Sequence, residues 1–166
     1  MEPLDVRATP DTLARWVEHR LHECPGVGPG AARVYGLELV DPDGFDDVDR
    51  PAGRLTFVDE GADASALVLS PACADAVRRF DAVVLAATRW VPASVPLPRP
   101  GGHPVRRRAR VVTVVGDAGA AIARRFDHQP DRVEVWNGLA DAGIAGVQLA
   151  AVWDGRRDRR SRPAPS

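Results

Sequence analysis

The run Asp81-Ala82-Val83-Val84-Leu85-Ala86-Ala87-Thr88-Arg89-Trp90 decides the fold. Ala82 to Thr88 carries no charge and is shorter than a typical helix. Such a continuous apolar run reads as a central strand buried on both faces, with Trp90 closing it. A strand covered on both sides needs packing layers above and below it.

Immediately upstream, Ser70-Pro71 is helix-start chemistry, and Ala72 to Phe80 is compatible with a helix. Residues 66–69 stay open between strand and helix, because periodicity does not assign so short an apolar run. Further back, residues 33–40 read as a strand with Tyr35, Leu37 and Leu39 on one face. Asp41-Pro42-Asp43-Gly44 is turn chemistry, an acidic loop follows to Gly53, and Leu55 to Val58 is a second strand. Residues 10–24 form the first helix, with Thr9 as cap and Pro10 and Asp11 in its first turn. Leu13, Trp16, Val17, Leu21 and Cys24 make its apolar stripe, which leaves Arg15, Glu18, His19, His22 and Glu23 on the wet side.

Downstream, residues 91–105 hold five prolines and Gly101-Gly102 and read as a long loop. Residues 109–115 are a β-branched strand, Gly116-Asp117-Ala118-Gly119 a hairpin turn, and Ala121 to Phe126 its partner strand. Asp131 to Trp136 is a further strand candidate. Residues 139–153 read as a helix capped by Gly155, with Gly143 and Gly146 weakening its propensity. The order predicts an α+β fold, a mostly antiparallel sheet of about five strands flanked by helices. It predicts one domain over 1–155 and a disordered Arg/Pro-rich tail over 156–166.

This element order resembles that of profilin-like and roadblock-like domains. The stretch from Val83 through Trp90, Gly102-His103-Pro104, the Arg106–Arg110 run and the hairpin also resembles small uncharacterised proteins of high-GC Gram-positive bacteria. That second resemblance implies no activity.

Composition narrows the chemistry further. The length of 166 residues suits one domain, with enough core to fold without a metal or disulfide staple. All 22 basic residues are Arg, so no Schiff-base, carbamate or phosphate-loop Lys exists. Net charge is −1 but unevenly placed. Residues 37–63 are strongly acidic, whereas 99–110 carry Arg99, Arg106, Arg107, Arg108 and Arg110 and no acid. Strand alternation puts Arg106, Arg108 and Arg110 on one face, where the acidic stretch 41–49 is expected to neutralise them. Cys24 and Cys73 have no paired-motif spacing and are expected to be small hydrophobes. The lack of a membrane-length apolar run and of a signal-peptide pattern points to a cytoplasmic protein.

Each motif that hints at an enzyme fails on context. Gly26-Val27-Gly28-Pro29-Gly30 follows a helix and precedes a strand, the reverse of a dinucleotide loop. Val40-Asp41-Pro42-Asp43 resembles the haloacid-dehalogenase Asp-x-Asp motif, but that family's Lys is missing. His19, His22 and Cys24 match no zinc spacing, and no Ser or Cys stands in a nucleophile elbow. No metal and no cofactor are expected.

The favoured expectation is a non-catalytic interaction or scaffolding domain that binds a protein partner or a second copy of itself. One alternative is a nucleic-acid or phosphate binder using the Arg106–Arg110 cluster, with a net charge of −1 weighing against nucleic acid. The other is an enzyme with scattered acids such as Asp41, Asp43 and Asp59, and His103. The interaction candidates are Trp90, His103, Arg106, Arg108, Arg110 and Trp136, because half-exposed indoles and guanidinium forks line pockets and interfaces. No membrane association is expected.

Overall fold

The run from Ala82 extends to Pro92 and is the third of six strands, hydrogen-bonded on both sides. The computed structural model describes residues 9–23, 31–39, 53–92 and 106–160. In chain order it has α1 (Pro10–Glu23), β1 (Ala32–Leu39), β2 (Gly53–Gly61), α2 (Ala64–Val68) and α3 (Pro71–Arg79). These are followed by β3 (Ala82–Pro92), β4 (Arg106–Gly116), β5 (Gly119–Phe126), β6 (Val133–Asn137) and α4 (Gly143–Arg160). The strands lie in the order β2-β1-β3-β4-β5-β6, every neighbouring pair antiparallel. The fold is α+β, as the sequence predicts, with six strands rather than about five; the sixth is the candidate near 131–136.

Alternation along the strands builds two cores. Val84 and Ala86 of β3, Val112 and Val114 of β4, and Ala121 and Ala123 of β5 face one side, under Leu13, Val17 and Leu21 of α1. Val83 and Leu85 of β3 and Val115 of β4 face the other, under Leu67 and Val68 of α2, Val77 of α3, and Leu149 and Trp153 of α4. Val83, Val84 and Ala86 have no exposed surface, so the layers expected around this strand are both present. Each buried valine contributes about 1.5–3 kcal/mol of transfer free energy.

Local chemistry sets the element ends. The Ser70 hydroxyl accepts from the Cys73 N–H at 3.2 Å, with Pro71 in the first turn of α3. The open stretch 66–69 resolves as the end of α2, whose cap is Asp63 accepting from the Ser65 and Ala66 N–H groups. The β4–β5 hairpin closes by pairing Gly116 with Gly119, and Gly119 takes φ +125°.

Several sequence expectations change. β3 continues through Val91 and Pro92, which the sequence assigns to the loop; residues 93–105 lie outside the described residues. The helix expected to end at Gly155 runs on to Arg160, into the first residues of the expected tail. The Arg156 guanidinium lies 4.4 Å from the Trp153 ring centre and donates to the Phe80 carbonyl at 3.1 Å, which anchors the added turn. Gly143 and Gly146 have a packing reason. Gly143 sits at φ +71° against the Arg89 guanidinium, and a Cβ on Gly146 would lie 3.3 Å from the Thr113 hydroxyl. Cys24, the 41–44 turn, the acidic stretch 41–49 and residues 161–166 lie outside the described residues. Among the described residues, no helix is long and apolar enough to cross a membrane.

Candidate functional site

The β3–β4 register sets Thr88 opposite Arg110, Trp90 opposite Arg108 and Pro92 opposite Arg106. Alternation places Thr88, Trp90, Arg106, Arg108 and Arg110 on the face that α1 covers. Four of the sequence candidates therefore share one surface. Trp136 does not join them. It pairs with Ile122 on the opposite face, half-buried, with the Arg124 guanidinium 4.1 Å from its ring centre. His103 lies outside the described residues.

The centre of this surface is a charge cluster between α1 and the sheet. Glu18, expected on the wet side of α1, has no exposed surface. It sits in the same helical stripe as Ala14, Val17 and Leu21, and that stripe faces the strands. Arg110 grips it with a bidentate fork, Nε to Oε2 at 2.7 Å and Nη2 to Oε1 at 2.6 Å. Arg125 of β5 donates from Nε to the same Oε1 at 2.5 Å, and its Nη1 donates to the Pro130 carbonyl. The Arg110 Nη2 also reaches the Glu18 carbonyl at 3.3 Å. Taking a carboxylate out of water costs several kcal/mol, and only hydrogen-bonded counter-charges of this kind offset it. Arg110 and Arg125 are themselves largely buried, with side chains 17% and 8% exposed.

Charge balance here is incomplete. Arg108 pairs with Asp127 at 3.5 Å, at the exposed rim. Among the described residues, three guanidiniums thus meet two carboxylates, Glu18 and Asp127, which leaves one positive charge in excess. The neutralising partners seen are Glu18 and Asp127; the acidic stretch 41–49 is outside the described residues. His19 adds no charge at neutral pH. Its Nδ1 lies 3.2 Å from Arg125 Nη2, and partial burial, with the Arg125 charge second, holds its pKa below the ordinary value of 6.5.

Beside the cluster opens a pocket of about 290 Å³, lined by His22, Thr88, Arg108, Arg110, Arg125 and Asp127, with Phe126 and Pro130 completing the wall. That volume stands at the lower edge of the roughly 300–1,000 Å³ common for small-molecule sites. Each guanidinium carries five N–H groups in a planar fork. Arg125 spends three of its five on Glu18, Pro130 and His19, and Arg110 spends four on Glu18 and the Leu21 carbonyl, so two donors remain on Arg125 and one on Arg110. Trp90 is not one of the lining residues; it stands two residues beyond Thr88 on the same strand face, directly across from Arg108, and is 65% exposed. Arg106 is exposed at the outer margin.

A larger groove of about 660 Å³ runs between α2–α3 and α4. Its walls are mostly apolar, including Val68, Leu69, Val77, Ala151 and Val152. Arg78 at its edge already pairs with Asp75 at 3.7 Å, and Arg156 is held by Phe80 and Trp153. The smaller pocket is the better-built site, because buried charges aim its donors. Among the described residues, no three His, Cys, Asp or Glu side chains converge as a metal site. The Cys73 thiol is buried in the α3 core and is pushed up to about 11 by desolvation, which keeps it protonated at neutral pH.

The sequence marks Trp90, Arg106, Arg108 and Arg110 but misses Glu18, His22, Thr88, Arg125 and Asp127. A usable signal for Glu18 is its spacing, four after Ala14 and three before Leu21, inside the apolar stripe. No known protein family, curated protein or solved structure matches the chain.

Proposed function

We propose that this is a non-catalytic binding domain that holds a small anionic group, a phosphate or carboxylate, in the arginine-lined pocket. The observation that carries this reading is the excess positive charge among the described residues. Arg110 and Arg125 share the one buried carboxylate of Glu18, and both line the pocket. An anion seated there completes the charge balance and takes the remaining guanidinium donors. The test is thermal unfolding with added phosphate against chloride at equal ionic strength. At a ligand concentration about 100 times Kd the gain is about 2.7 kcal/mol. That corresponds to roughly 5–10 °C for a chain of this size. Arg108→Ala, at the rim, should reduce the gain without unfolding the domain. An equal gain in Arg108→Ala, or none in the native chain, rejects the reading.

A second observation favours self-association. From Gly143 to Trp153, α4 carries no charged residue. Its outer side leaves Ile144 76% and Val147 53% exposed, and Leu69 beside α2 is 62% exposed. A helix that is apolar on all sides is normally covered. A second copy packed face to face about a two-fold axis covers it without bringing like charges together along that stretch. Light scattering should give a dimer mass for the native chain and a monomer mass for the double variant Ile144→Glu, Val147→Glu. A native monomer at high micromolar concentration contradicts this second reading.

A further inference from the structure

We infer that the ligand of the arginine pocket is a nucleoside monophosphate, with its phosphate among Arg108, Arg110 and Arg125 and its base on the Trp90 indole. The inference rests on the anion-binding reading and adds the class of molecule that carries the anion.

Three features of the surface lead to it. The first is an aromatic ring that the fold does not use. Trp90 is 65% exposed, and among the described residues no ring or guanidinium stacks on it. The other tryptophans differ: Trp153 is buried, Trp16 packs against the α1 core, and Trp136 is covered by Arg124. A large exposed aromatic side chain beside a polar pocket is a stacking platform, and every nucleobase has a face for it.

The second is spacing. Trp90 lies two residues from Thr88 on the same strand face, and Thr88 lines the pocket. Two strand residues span about 6.6 Å. A nucleoside places one sugar between base and phosphate, a separation of this order. Arg108 stands directly across from Trp90 in the sheet and lines the pocket, so a ligand that extends past Arg108 along this face reaches the ring.

The third is the scale of the charge. Among the described residues the pocket holds a single positive charge in excess, and the chain as a whole carries −1. One phosphate group, about −1.5 to −2 at neutral pH, more than offsets that excess, whereas a string of phosphates goes far beyond it. A polynucleotide needs a track of cations and long-range attraction, and a net negative chain supplies no such attraction. His22 and Thr88, both at the pocket, can serve the phosphate oxygens or the sugar hydroxyls.

The experiment is calorimetric titration of the full chain with four probes at one low salt concentration: inorganic phosphate, adenosine, adenosine monophosphate and a ten-nucleotide single strand. The monophosphate should bind at least about tenfold more tightly than phosphate, a factor in the range of one base–aromatic stack. Trp90→Ala should bring the monophosphate down to the affinity of phosphate and leave phosphate binding unchanged. Trp90→Phe should restore part of the difference. Equal binding of phosphate and monophosphate overturns the inference and leaves the anion pocket standing. Tighter binding of the oligonucleotide than of the monophosphate also overturns it. No binding of phosphate or of monophosphate removes the anion pocket and the inference together.

Discussion

Glu18→Gln is the substitution that bears hardest on the account of the site. It keeps the shape of the side chain and removes its charge. In the native chain, Oε1 takes donors from Arg110 and Arg125, and Oε2 takes the second prong of Arg110. The amide retains one acceptor oxygen and turns an N–H₂ toward a guanidinium, so two largely buried cations face each other without a carboxylate. Removing one partner from a buried ion pair costs about 3–5 kcal/mol. Against a typical domain stability of about 5–15 kcal/mol, the variant stays folded but is severely weakened. With a urea m-value of roughly 2 kcal/mol/M, the midpoint should fall by about 1.5–2.5 M. The same substitution should tighten phosphate binding, because the pocket gains a positive charge. Phosphate should therefore raise the variant's midpoint more than the native one. A midpoint loss below about 0.5 M, with phosphate acting equally on both proteins, would refute a buried carboxylate shared by two arginines.

Four further outcomes follow from the same structure. Replacing the whole cluster, Glu18→Met with Arg110→Met and Arg125→Leu, should leave stability within about 2 kcal/mol of native and abolish the phosphate-dependent gain in melting temperature; persistence of that gain would place the anion elsewhere. Val84→Asp should leave no cooperative unfolding transition, since an unpaired carboxylate in the middle of the sheet costs several kcal/mol; a soluble variant with native Tm would contradict the placement of β3. The depressed pKa of His19 means the unfolded state binds its proton more readily, so this group's contribution is intact above about pH 6.5 and falls as the pH drops below it. His19→Gln should flatten the loss of stability between pH 7 and 5, and unchanged slopes would count against the partial burial of His19 beside Arg125. In a Cys24→Ser background, native Cys73 should resist iodoacetamide at pH 8 while urea-unfolded chains label fully, because its thiol is buried and pushed up to about 11; rapid native labelling would show that α3 does not cover it.

The parts of the fold legible in the sequence are those fixed by local chemistry. Ser70-Pro71 starts α3, Gly116–Gly119 turns the β4–β5 hairpin, and the uncharged run at 82–88 is buried on both faces. α2 is a single short helix of five residues, below the length at which apolar periodicity can be read. The last turn of α4 depends on Trp153 and Phe80, one on its own helix and one on the end of α3, so its sequence alone looks unanchored. For the site, strand alternation suffices to group Arg106, Arg108 and Arg110 on one face. It does not reveal the partner, because Glu18 meets Arg110 and Arg125 across 92 and 107 residues of chain. A glutamate beside hydrophobic residues on a helix looks solvated until the strands it packs against are known to present guanidiniums. Trp90 and Trp136 look alike in sequence, both at strand ends, and only sheet pairing separates the exposed ring from the covered one.

The measurement closest to the central claim is a heteronuclear NMR titration of the full chain with inorganic phosphate, observing the arginine Nε–Hε signals. The account predicts saturable shifts in Arg108, Arg110 and Arg125, with Arg33, Arg78 and Arg79, which lie on other elements, left in place. Shifts spread evenly over exposed arginines, or no saturable shift in the three that line the pocket, would contradict it.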